Sequence, residues 1–198
     1  MSILTLAGSP AASSRSRALL EWIGARLGRS GERVDSLAVR DLPAEDLLFA
    51  RADTQALQAA LAKVERAQAL VISTPVYKAA YSGALKTFLD LLPQKGLAGK
   101  VVLPVVTGGS VAHTLAVEYA LKPVLAALDA RVVLNGVFIA DSQLEYTPDG
   151  LRIAGEAESR LHEALDRFED AALRFRWPLA GPRSAVAVES AFPLPVSG

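Results

Sequence analysis

Ile3-Leu4-Thr5-Leu6-Ala7 runs directly into Gly8-Ser9-Pro10-Ala11-Ala12-Ser13-Ser14-Arg15-Ser16. The opening run is apolar and of strand length, and Gly, Ser and Pro end it. A helical period then sets in at Leu19, Leu20, Ile23 and Leu27. The stretch therefore predicts a strand, a loop and a helix N-terminus. Such a junction gathers unpaired backbone N–H groups and the positive end of the helix dipole, and Ser9, Ser13, Ser14 and Ser16 add hydroxyl donors. The loop lacks both the G-x-x-x-x-G-K-[ST] and the G-x-G-x-x-G spacings, so as an anion cradle it suits a single terminal phosphate. Taken alone, the serines equally suit an ordinary helix cap, a position that Ser favours.

Composition removes several classes of function. The 198 residues are enough for one domain with a full core and too few for two ordinary ones. With 51% hydrophobic and 21% charged residues the chain is globular. No apolar run approaches the ~18 residues of a membrane span, so no membrane partner is expected. The 21 basic and 21 acidic residues cancel, which removes the electrostatic footprint of a nucleic-acid binder. Cys is absent, excluding a disulfide framework, a thiolate nucleophile and a Cys-ligated centre. His113 and His162 are too few for a His-rich site, and no metal is expected. Gly8-Ser9-Pro10 interrupts the N-terminal apolar run too early for a secretory leader, so a cytoplasmic location is expected.

Along the chain, residues 33–37 form an edge-like second strand, and residues 41–52, with Pro43, read as a loop. Asp53 can cap a helix whose inner face is Leu57, Leu61 and Val64. Ala69-Leu70-Val71-Ile72-Ser73 is the continuous apolar run of a strand covered on both faces. It opens into Thr74-Pro75-Val76-Tyr77-Lys78-Ala79-Ala80-Tyr81-Ser82-Gly83, where Ser82 caps a helix carrying Leu85, Phe88, Leu89 and Leu92. Residues 101–106 are another buried strand, ending in Thr107-Gly108-Gly109-Ser110 and a helix through Leu128. Pro104 cannot donate to a ladder and suggests a bulge there. Residues 131–140 form a fifth strand interrupted by Asn135-Gly136. The last helix places Leu161, Ala164, Leu165, Phe168, Ala172 and Phe175 on one face, and Trp177-Pro178 stops it.

Strands alternating with helices imply an α/β fold: a doubly wound, five-stranded parallel sheet of order 2-1-3-4-5 with helices on both faces. The expected domain covers residues 1–176. Residues 177–198, with Pro178, Pro182, Pro193 and Pro195 and no helical or strand period, are expected to form a mobile tail. In the 2-1-3-4-5 order the loops at Gly8, Thr74 and Thr107 converge beside the topological switch point. Together they offer a hydroxyl-rich phosphate end, an aromatic middle at Tyr77, and a Gly108-Gly109 turn where backbone amides can approach closely. A flat ligand carrying a phosphomonoester fits those compartments. FMN has this shape.

Leu6-Ala7-Gly8-Ser9-Pro10, Ser13-Ser14-Arg15-Ser16, residues 74–86 and Thr107-Gly108-Gly109-Ser110-Val111-Ala112-His113 together resemble the flavodoxin-like NAD(P)H:FMN reductases. The resemblance spans about residues 1–175 and is strongest to the reductases of alkanesulfonate monooxygenase two-component systems. It implies a flavodoxin-like oxidoreductase that takes a hydride from NADPH or NADH and reduces FMN. It also implies that FMNH2 passes to a separate monooxygenase acting on organosulfonates, a sulfur-assimilation step. Carried over by position, Ser9, Ser14, Arg15 and Ser16 hold the FMN phosphate. Pro75, Val76, Tyr77 and Lys78 line the ribityl chain and ring, and Thr107, Gly108, Gly109 and Ser110 meet the isoalloxazine edge. Arg15 has a second possible use, on the 2′-phosphate of NADPH.

Hydride transfer between stacked rings needs geometry more than an acid or base, so no catalytic side chain is named. Two other readings stay open. One is a reductase that holds FMN permanently and acts on quinones, azo dyes or metal oxyanions. The other is a flavodoxin-type electron carrier, which the neutral charge disfavours because carriers use acidity to dock basic partners. Pro123 lies inside the helix ending at Leu128 and cannot donate to the Tyr119 carbonyl, a defect that a π-bulge around Tyr119 would absorb. Related reductases resemble this arrangement, with a Tyr in a π-helix at a subunit interface. The expectation is a homo-oligomer, dimer or tetramer, with Tyr119 near the neighbouring flavin pocket. An ordinary proline kink with Tyr119 in the core is the alternative.

Overall fold

Alternate residues of the apolar runs face opposite layers of helices, and this places the whole chain. In the computed structural model, which describes residues 1–110, 115–130, 132–148 and 150–175, the opening run is β1 (Ser2–Ala7), followed by α1 (Arg15–Arg29) and β2 (Arg33–Ala38). Then come α2 (Ala44–Leu48), α3 (Gln55–Arg66), β3 (Ala69–Tyr77), β4 (Ala80–Tyr81) and α4 (Gly83–Leu89). β5 (Val101–Gly108) leads to a π-turn at Val117–Leu121 and to α5 (Lys122–Ala127). β6 (Val132–Val133), β7 (Val137–Ala140), the pair β8 (Leu144–Thr147) and β9 (Gly150–Ile153), and α6 (Gly155–Arg174) complete it.

The parallel order is β2-β1-β3-β5, with β6 and β7 following one another end to end along the outer edge of β5 as two pieces of the fifth strand. This is the expected 2-1-3-4-5 order. Ile3, Val71 and Leu103 face α1 and α6, where Leu19, Ile23, Leu165 and Phe168 are buried. Leu4, Leu6, Leu70, Ile72 and Val102 face the opposite layer, where Leu57, Val64, Phe88 and Leu125 are buried. Each such side chain contributes about 1.5–3 kcal/mol when fully buried, so two-sided burial holds the central strands.

Pro104 is paired without a break against Ile72 of β3, so the expected bulge is not in its own strand. The irregularity falls on the neighbour. β5 pairs with β6 at Val102↔Val133 and with β7 at Val105↔Val137, so residues 103–104 face residues 134–136. Val102 turns its carbonyl to the fifth strand, accepting from Leu134 N at 2.9 Å. Pro104, two residues on, turns the same way and has no N–H to give. The fifth strand breaks where that donor is missing.

Other differences are local. Residues 41–52 are not all loop, because α2 forms within them, and Thr54 rather than Asp53 stands at the N-cap of α3. Phe175, expected on the inner face of the last helix, lies at its C-cap and is exposed. The β8–β9 hairpin has no antecedent in the sequence reading, since only its end residues Leu144 and Ile153 are buried. Lys100 closes the C-terminus of α3: Nζ donates to Glu65 O at 2.9 Å and Ala67 O at 2.6 Å. Burial holds that ammonium below the ordinary lysine pKa. Trp177-Pro178 and the expected tail lie outside the described residues. Among the described residues no helix is long and apolar enough to cross a membrane.

Candidate functional site

β1, β3 and β5 run in parallel register, with Ala7 level with Ser73 and Pro75 level with Thr107. Their carboxyl ends therefore open onto one edge of the sheet, as the strand order requires. The first loop begins at Gly8, whose N–H donates to Ser73 O at 2.7 Å. A Cβ on Gly8 would stand 2.8 Å from Leu85 Cβ, so only glycine lets the turn lie against the first turn of α4. Ser9 is buried and its hydroxyl accepts from Ala11 N at 3.2 Å. Ser14 is the N-cap of α1, accepting from Arg17 N at 3.4 Å, and its hydroxyl lies 2.8 Å from that of buried Ser16.

The cap is thus built from the residues expected to form the cradle. In the first turn of α1 the N–H groups of Arg15 and Ser16 have no intrahelical carbonyl to reach. Arg15 itself is exposed, and no charged partner among the described residues meets its guanidinium. Hydroxyls, helix-end N–H groups and a free cation together match a phosphomonoester.

The second loop is a two-residue hairpin. Val76↔Tyr81 and Tyr77↔Ala80 pair antiparallel, and between them Lys78 and Ala79 have φ of 50° and 64°. Two consecutive left-handed residues define the turn type that matches strand twist, usually made with Asn-Gly. Without glycine each costs on the order of 1–2 kcal/mol. The strained turn keeps Tyr77 at the rim, 48% exposed, with Lys78 exposed beside it, while Pro75 and Val76 are half-buried.

The third loop starts from buried Thr107 and Gly108. A Cβ on Gly108 would approach Phe138 to 3.3 Å and Val76 to 3.5 Å, whereas Gly109 is exposed with open space above it. Ser110 is exposed, and residues 111–114, including His113, lie outside the described residues. The arrangement is graded: a buried hydroxyl end, then an exposed aromatic rim, then a turn whose backbone can be approached. The structure thus brings every expected cofactor residue to this edge. A cavity of about 350 Å³ lies between α4 and α5, and one of about 520 Å³ lies between α1 and β2, reaching Ala7 and Arg17.

Sequence reasoning missed the hydroxyls beneath the loops. Ser73 Oγ donates to Ser16 O at 2.9 Å, and Ser82 N donates to Thr74 Oγ1 at 3.1 Å. Ser82 Oγ accepts from Leu85 N at 3.1 Å and donates to Gly8 O. The helix cap at Ser82 is legible in sequence, but its partner 74 residues away is not.

Tyr119 sits in the π-turn expected around it, flanked by buried Val117 and Leu121, and is 79% exposed. It is not a core residue. Glu118 pairs with Lys122 at 2.7 Å along the same turn. Gly136, in the break of the fifth strand, makes room for it: a Cβ there would collide with Val117.

A family model described as NADPH-dependent FMN reductase matches residues 1–145. The FMN reductase (NADPH) of Pseudomonas putida is 49% identical over 183 residues, covering 91% of this chain and 92% of its own. That of Escherichia coli is 49% identical over 168 residues, covering 85% and 88% respectively. Among solved structures, the apo form of an NADH:FMN oxidoreductase (EMOB) superposes with a TM-score of 0.79 at 38% identity, covering 86% of this chain and 89% of that one.

Proposed function

The chain belongs to the family of NADPH-dependent FMN reductases, and on that premise we propose that it supplies FMNH2 to a separate monooxygenase that desulfonates organosulfonates. It is an NAD(P)H:FMN oxidoreductase using FMN and a reduced pyridine nucleotide. The electron-carrier alternative falls with that membership. The observation that carries the proposal is the gradient of exposure at the sheet edge. Ser9 and Ser16 are buried, while Tyr77, Lys78, Gly109 and Ser110 face solvent. A flavin held by its phosphate with an open ring end can leave after reduction, as delivery to a partner requires. The likeness of residues 74–86 to reductases of alkanesulfonate systems supports the choice of partner.

When bound, FMN supplies the ring that accepts the hydride. The chain's part is to bind and orient. Ser9, Ser14, Arg15 and Ser16 fix the phosphate; Pro75, Val76, Tyr77 and Lys78 bound the ribityl chain and one side of the ring. Thr107, Gly108, Gly109 and Ser110 present backbone to its polar edge. No side chain has to move a proton for two rings to stack at reacting distance. NADPH is the favoured donor, in keeping with the named activity of both relatives at 49% identity. Tyr119 belongs to the same proposal, as an exposed aromatic on a π-turn at a homo-oligomer interface, dimer or tetramer, beside the neighbouring flavin pocket.

The test is exhaustive dialysis followed by NADPH oxidation with and without added FMN. A colourless protein active only with FMN, which then supports sulfite release by an FMNH2-dependent sulfonate monooxygenase, is the expected result. A protein that stays yellow and reduces quinones, azo dyes or metal oxyanions without added FMN would overturn it in favour of a resident flavin.

A further inference from the structure

Ser82 is fully buried and ties three pieces of the site together. Its N–H donates to Thr74 Oγ1 at 3.1 Å, which fixes the base of the hairpin. Its hydroxyl accepts from Leu85 N at 3.1 Å, which caps α4, and spends its only proton on Gly8 O. Gly8 is the first residue of the phosphate turn and is already pressed against Leu85. Thr74 is likewise fully buried, and its own proton goes to Pro75 O at 3.1 Å.

Ser82 has no exposed surface, and of its three bonds the one to the Gly8 carbonyl is the one that reaches the phosphate turn. We propose that Ser82 is a positioning residue for phosphate recognition: by holding the Gly8 carbonyl at the head of α4, it presets the 8–16 turn to the geometry a phosphomonoester needs. The inference rests on the reading of that turn as the FMN phosphate cradle. Preorganisation of this kind strengthens binding by removing an ordering cost rather than by adding a contact. Its effect is therefore confined to ligands that use the turn.

FMN and riboflavin differ only in the phosphate, and the ratio of their dissociation constants isolates this effect from general damage to the fold. Full-length wild-type protein, Ser82→Ala and Thr74→Val are titrated with each flavin by fluorescence quenching, and FMN-dependent NADPH oxidation is measured beside them. In Ser82→Ala the preference for FMN over riboflavin falls about tenfold, the size expected for one lost buried hydrogen bond, and KM for FMN rises while kcat holds. Thr74→Val keeps the side-chain shape and the Ser82 hydroxyl but removes the acceptor for Ser82 N–H; it lowers the same ratio and serves alone if Ser82→Ala does not fold.

Equal losses for both flavins, or a fall in kcat at unchanged KM, would overturn the assignment. Ser14→Ala and Arg15→Ala separate the two levels of the argument. If they lower the FMN preference and the Ser82 and Thr74 variants do not, the cradle stands and the role of Ser82 fails. If they lower FMN and riboflavin alike, the cradle itself fails and this inference with it.

Discussion

At the scale of single residues, the first-loop serines bear out the helix-cap reading, and the phosphate reading is the one an experiment must decide. Ser14 caps α1 and also stands beside Ser16 at the open end of that helix, because a helix N-terminus needs acceptors and offers spare donors at the same place. Ser9 accepts from Ala11 N and keeps its own proton to donate, while Ser14 and Ser16 share one hydroxyl–hydroxyl bond and Arg15 has no charged partner among the described residues. Ser14→Ala and Arg15→Ala are therefore expected to weaken FMN more than riboflavin. Hydrogen bonds to a charged group are worth about 1.5–3 kcal/mol, so each FMN defect should be roughly tenfold or more. Paired titrations with the two flavins measure it, and equal losses would remove the phosphate from this loop. The composition of the loop was readable. The Gly8 carbonyl bond to Ser82 was not, since nothing local marks a carbonyl that will meet a hydroxyl 74 residues on.

At the scale of elements, two prolines explain two irregularities. Pro104 leaves a gap in the ladder beside which the fifth strand breaks at residues 134–136, and Pro123 leaves the Tyr119 carbonyl without its helical donor. The π-turn at Val117–Leu121 absorbs the second defect by inserting one residue, and Gly136 in the break gives Val117 the space it needs. The two defects are packed against each other. Removing Tyr119 is expected to restore α-helical register, leave FMN binding in place and suppress turnover or transfer of reduced flavin. Sedimentation velocity, FMN titration and steady-state kinetics on the deletion variant report each part. An assembly state, flavin release and kinetics all identical to wild type would count against an interface role for Tyr119. The π-turn was legible because a proline defect is local; the exposure of Tyr119 depended on which face the turn presents.

At the scale of the whole molecule, the core closes within the described residues. The last buried side chain of α6 is Ala172, and Phe175 faces outward. A chain truncated after Phe175 is thus expected to keep its melting temperature and its FMN reductase activity. A fall of more than about 4 °C, on the order of 1 kcal/mol for a protein of this size, would show that residues 176–198 contribute to stability. What the sequence by itself determined was the α/β class, the five-strand count and the loops proposed to carry the site, because a continuous apolar run of strand length and a helical period of 3.6 are one-dimensional patterns. It also located the Ser82 cap and the Tyr119 π-turn, each a matter of neighbours within four residues. Only the tertiary structure decided that Pro104 acts on the adjacent strand, that Phe175 leaves the core, that β8 and β9 pair, and that Ser82 reaches Gly8. Those outcomes depend on which chains lie side by side, and that juxtaposition exists only once the sheet has assembled.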